Sequence, residues 1–181
     1  METRTYTVYL YLYDELPSDS KKLAVHKNID INVMYEWWET VYEDAARIGL
    51  QLTAFELDYD RHAHGKLLTS VPNVIDLILF HHGESCDTYK LALESKESYR
   101  RIASSWLWKT RKELPNDRYT LEDFQDTHEY DRLERNFLRM LLDEYALMLQ
   151  NEYDDRTSEE RIIETLTLNE YLFTLNGDIA E

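Results

Sequence analysis

The sequence predicts an α+β fold: a small, mostly antiparallel sheet covered by helices, with a helical C-terminal half. Three observations carry this. Residues 5–12 and 50–58 alternate their side chains with the period of two that a strand requires. Residues 31–48, 72–82, 88–112 and 128–153 repeat apolar side chains at three- and four-residue steps, the period of one helix face. With 4 Gly and 3 Pro in 181 residues, there is little room for a long flexible linker.

Each element has its own signal. In 5–12, Tyr9 and Tyr11 fall on one face and Val8, Leu10 and Leu12 on the other. Residues 14–18, with Pro17, read as a turn. Ser18 or Asp19 then caps a short helix to Lys27, with Leu23 and Ala24 facing inward. Residues 28–49 read as one long amphipathic helix with Ile31, Met34, Tyr35, Trp38, Tyr42, Ala45 and Ile48 on its apolar face. Asp30 caps its start and Gly49 ends it. A second face carries Glu36, Glu39 and Glu43, with Asp44 beside them. Carboxylates spaced this way repel one another unless water or a cationic partner screens them. They read either as a solvated face or as a docking surface.

Strand 50–58 leads into DYDRHAHGK, a polar bend ending at Gly65, with a short return strand at 66–69. Pro72 opens a third helix that Gly83 ends. Asp87 caps a longer one, to about Lys112, with Leu91, Tyr99, Ile102 and Trp106 inside. Residues 114–127 read as an irregular link between an α+β front unit (1–113) and a helical unit (128–181), the whole forming one compact domain. Residues 128–153 form a long helix on Leu133, Phe137, Met140, Leu141, Tyr145 and Leu149. Thr157 or Ser158 caps the next, which buries Ile162, Ile163 and Leu166. Asn176 and Gly177 make a tight turn that closes a small hairpin.

The charge balance constrains function. Thirty-six acids against 20 bases give a formal charge of −16. That opposes direct binding to a phosphate backbone, which works through Lys and Arg. It favours basic partners reached by electrostatic steering. Fourteen tyrosines suit partner surfaces as well as cores, because the ring packs while the hydroxyl stays wet. A single cysteine, Cys86, cannot form an internal disulfide. With no leader pattern and no apolar run of membrane-spanning length, a cytoplasmic location is the expectation.

Three clusters could carry chemistry. Asp58, Asp60, His62 and His64 are spaced by two, so an unbroken strand would align two imidazoles and two carboxylates for a divalent metal. A bend at Gly65 would scatter them. His81, His82 and Cys86 form HHGESC, which reads either as a thiol–imidazole pair or as favourable charge at a helix end. Trp106, Trp108, Lys109, Arg111 and Lys112, with Arg100 and Arg101, form the one basic and aromatic neighbourhood, a candidate nucleic-acid contact. No phosphate loop, dinucleotide loop, serine-esterase elbow or zincin helix is present. We expect no catalysis and no cofactor.

The run YDEL, KKLAV, DINVMYEWWETVYEDAARIGLQLTAFELDYDR, GKLL and HHGESCDTYKLA resembles a widespread family of small acidic proteins of bacteriophages and prophages. The resemblance rests on Asp14, Glu15, Leu16, Trp37, Trp38, Glu39, Glu43, Asp44, Ala45, Gly49, Phe55, Asp58, Gly65, His82, Gly83, Cys86, Thr88 and Tyr89. It covers the first half well and the last residues loosely. The Tyr59-Asp60 pair before Arg61 and the Trp106–Trp108 region depart from it. Some members look like anti-CRISPR inhibitors. The resemblance therefore implies a stoichiometric binding inhibitor of a type II single-effector RNA-guided DNA nuclease, acting in the host bacterial cytoplasm and blocking DNA engagement or cleavage. Such a nuclease holds its heteroduplex in a positively charged channel, and Glu36, Glu39, Glu43 and Asp44 are the expected partner-binding residues. The alternatives are a metal-dependent enzyme using the Asp/His cluster, and a phage regulatory or structural partner with no defence role.

Overall fold

The computed structural model describes residues 7–58, 60–115 and 118–180. It is α+β, and two compact units divide it. One combines residues 1–37 with 151–181; the other is the continuous stretch 38–150. The division therefore does not follow the expected link at 114–127. It falls beside Trp37 and inside the long C-terminal helix.

In the first unit, β1 (Tyr11–Leu12) pairs antiparallel with β4 (Leu172–Phe173). A single 3-10 turn at Tyr13–Glu15 leads to α1 (Ser18–Lys27), and α7 (Glu159–Leu168) precedes β4. The expected strand at 5–12 is thus two residues long among the described positions, and residues 5 and 6 lie outside them. Tyr13, Leu16, Ala24, Ile162, Leu166 and Phe173 form the core. The Tyr13 ring meets Phe173 edge-on at 6.2 Å. Leu23, expected inside, is exposed; only Ala24 of that pair faces the core. Ser158 caps α7 by accepting from the Arg161 N–H at 3.3 Å. The expected C-terminal hairpin is present. Gly177 N–H donates to Thr174 O, Ala180 N–H donates to Leu172 O, and Ile179 bridges Phe173.

The second unit holds α2 (Glu39–Arg47), β2 (Leu50–Glu56), β3 (His62–Leu67), α3 (Val71–His81), α4 (Asp87–Glu113) and α5 (Leu121–Gln125). The larger part of α6 (His128–Arg156) also belongs to it. β2 and β3 form a second two-stranded antiparallel sheet, so among the described residues the strands expected in one sheet lie in two. The register pairs Leu50 with Leu67 and Glu56 with His62, with an irregularity between Leu52 and Ala54. That bulge ends the simple alternation: Leu50 and Leu52 are buried, whereas Ala54 is exposed.

Two sequence expectations fail here for identifiable reasons. The helix expected over 28–49 is α2 alone; residues 29–35 run as turns and bends. Trp38 stands at the N-cap with no side-chain cap, and Asp30 caps nothing. Met34 and Tyr35, expected on a buried face, are 75% and 80% exposed. Their helical spacing was coincidental: Asn28, Asp30 and Asn32 favour turns over helix, and the Ile31 and Val33 N–H groups donate to Asn28 O and Asp30 O in successive turns. Gly49 ends α2 as expected, with φ of 79°.

The hairpin bend is the second. It lies before His62, not at Gly65, so the return strand starts four residues early. Gly65 is instead a close-approach position: a Cβ there would stand 2.5 Å from Gln51 O on the neighbouring strand.

α5 lies within the expected irregular link at 114–127. Thr120 caps it in a capping box: its hydroxyl accepts from the Glu122 and Asp123 N–H groups, and the Thr120 N–H donates to Asp123 Oδ2 at 2.7 Å. This places Phe124, fully buried, against Tyr99, Trp106 and Tyr130. Thr120→Ala is expected to lower stability by about 1 kcal/mol, the usual loss for an N-cap. Urea denaturation checks it; no change in midpoint would show that Phe124 holds the turn without the cap.

Candidate functional site

The expected acidic surface comes apart into three environments. Glu36 precedes α2 and is not helical, so its three-residue step to Glu39 is not a helical one. Glu39 and Glu43 lie one turn apart on α2 and are exposed. Glu43 stands 3.9 Å from Arg47, an exposed i,i+4 pair. Such a pair contributes little and leaves the carboxylate in water.

Asp44 corrects the expectation. It is not a free partner-facing carboxylate but the centre of an internal polar network. The Tyr145 hydroxyl donates to Asp44 Oδ2 at 2.8 Å. His82 Nε2 lies 3.5 Å from the same oxygen, within ion-pair range but without a hydrogen bond of its own. The other ring nitrogen of His82 is 2.7 Å from Thr88 Oγ1. A carboxylate only accepts, so the Nε2 proton belongs on the side facing Asp44, and Nδ1 then accepts from Thr88. The His82 side chain is 8% exposed, Tyr145 is fully buried and Thr88 is buried. The network ties α2, the end of α3, the start of α4 and α6 within one unit.

The electrostatics follow from these contacts. The His82 imidazole is the main influence holding the Asp44 carboxyl below its usual range; partial burial opposes it, and the Tyr145 hydroxyl and Arg47 add to it. Burial, then Asp44 itself, pushes the Tyr145 phenol far above its ordinary value. Asp44, His82 and Thr88 are three of the residues on which the sequence resemblance rests. HHGESC signalled this region, but the spacing could not show that His82 turns inward to a carboxylate 38 residues earlier in the chain. Cys86, its other member, is exposed just before α4.

The basic neighbourhood also divides. Trp106 is part of the aromatic cluster, its ring 5.6 Å from Phe124 and 6.0 Å from Tyr119. It is therefore a packing residue, which corrects its place among nucleic-acid contacts. Trp108 is 65% exposed, with the Lys112 ammonium 5.4 Å from its ring centroid. Lys109 and Arg111 are exposed beside it.

Asp58, Asp60, His62 and His64 do not assemble as one cluster. Asp58 and Asp60 are exposed in the bend, while His62 and His64 lie on β3. Among the described residues, no group of three or more His, Cys, Asp or Glu side chains is placed to hold a metal ion. Also among these residues, no helix is long and apolar enough to cross a membrane. Comparison with protein-family models, with curated proteins and with solved structures finds no match.

Proposed function

We propose that this chain is a phage-type inhibitor of a type II single-effector RNA-guided DNA nuclease, binding it stoichiometrically and doing no chemistry. The reading rests on the sequence resemblance. The observation that supports it best is the formal −16 charge, displayed in part by the exposed Glu39–Glu43 face of α2. A carboxylate surface of this kind is complementary to a positively charged nucleic-acid channel. Exposed Met34 and Tyr35, in the other unit, supply a second surface of the side-chain types that anchor interfaces.

A cleavage titration tests it. With guide-loaded nuclease and target DNA, cleavage should fall to a plateau near one equivalent of this protein. Glu39→Lys combined with Glu43→Lys should raise the half-inhibitory concentration by about tenfold or more, and so should a rise in salt from about 0.1 M to 0.3 M. Inhibition far below one equivalent would instead indicate turnover. No effect at large excess, over several nucleases, would reject the inhibitor reading and leave a phage regulatory or structural partner.

A further inference from the structure

The exposed face of the β2–β3 hairpin brings together groups that the inhibitor reading does not use. His62 and His64 are two residues apart on β3, so both project to the same side of the sheet. Their rings lie 4.8 Å apart, centroid to centroid. Two imidazoles bound to one cation through metal–nitrogen bonds of about 2.0–2.1 Å would stand about 5 Å apart. Glu56 is the cross-strand partner of His62, and its Oε2 lies 3.7 Å from His62 Nε2.

His62 Nδ1 makes a short contact with the Asp60 backbone carbonyl, which can only accept, so Nδ1 carries the proton of that contact and Nε2 is the nitrogen on the Glu56 side. Orienting an imidazole through a carbonyl on its other nitrogen is how proteins prepare histidine as a ligand.

We propose that His62 and His64 form a two-point chelating site for an imidazole-preferring divalent cation such as Zn2+ or Ni2+, with water filling the remaining positions and the Glu56 carboxylate providing negative potential beside it. Two protein donors, not four, hold the ion; Asp58 and Asp60 contribute no carboxylate.

Zn2+ alone, titrated into the full chain by calorimetry at pH 7.5 with excess Mg2+ to occupy surface carboxylates, tests the site. One equivalent should bind. His62→Gln and His64→Gln should each weaken binding by about tenfold or more, with unchanged circular dichroism. His81→Gln, an exposed histidine of the same unit outside the hairpin, should leave it unchanged. Absence of Zn2+ binding at several hundred micromolar, or binding that survives both hairpin variants, overturns the proposal.

Discussion

Replacing Gly177 with alanine should destabilise the unit of residues 1–37 and 151–181 by about 2–5 kcal/mol, combining left-handed backbone strain with overpacking. Gly177 has φ of 79°, a conformation that L side chains rarely adopt. An added Cβ would also stand 2.5 Å from Ala24 N and 2.8 Å from Leu23 C. Both are backbone atoms of α1, so no rotamer change relieves the contact. Moving α1 would disturb Ala24, which is fully buried in the core with Leu166 and Phe173. Gly83→Ala is the control: its Cβ would meet only Ser85 Oγ, at 4.0 Å. Hydrogen exchange at α1 and α7 amides, compared between the variants, measures the effect in the affected unit. Equal protection in Gly177→Ala and the parent would mean that the hairpin can move away from α1 at no cost.

The second large effect is expected at Asp44. Asp44→Ala leaves the buried Tyr145 hydroxyl without its acceptor and His82 Nε2 facing no charge. Removing one partner of a charge-assisted, largely enclosed contact costs about 2–4 kcal/mol. Tyr145→Phe should cost less, about 1.5–3 kcal/mol, because the ring still fills its space. The double variant should cost less than the sum, since both remove one hydrogen bond. Additivity would show that the two side chains act independently. The pH dependence has a definite sign. The Asp44 carboxyl titrates below its ordinary 3.8 in the folded chain. Its contribution is therefore fully present above that value and is lost as pH falls through the lower, folded one. Asp44→Asn should flatten this part of the acid-denaturation limb.

What the sequence shows depends on how local the cause is. α3, α4, α6 and α7 were legible because each buries one stripe over several turns, and α3 and α7 are also bounded by Pro72, Gly83 and Ser158. The C-terminal hairpin was legible from Asn176-Gly177. α5 was missed, although Thr120 and Asp123 stand at capping-box spacing. The helical period of Ile31, Met34 and Tyr35 misled, because periodicity records spacing and not whether anything lies opposite to be packed against. At the candidate site, exposed Glu39 and Glu43 were legible. The inward role of Asp44 was not: it depends on His82, Thr88 and Tyr145, brought to it by tertiary packing. Trp106 and Trp108 looked equivalent in sequence, and the positions of Phe124 and Tyr119 beside Trp106 separate them.

The pairing of Tyr11 with Phe173 sets an order of events during synthesis. Residues 38–150 form a compact unit from one continuous stretch, which can fold once that stretch has left the ribosome. Residues 7–37 cannot, because their core companions Ile162, Leu166 and Phe173 are translated only after that stretch. Until then Tyr13, Leu16 and Ala24 have nothing to bury them, and closing so long a loop is entropically slow. The nascent chain therefore carries this segment with its core side chains unburied until residues 162–173 have been made. Asp14, Glu15, Asp19, Lys21 and Lys22 stand among those apolar side chains, and charges in such positions oppose association of a segment that is still unfolded.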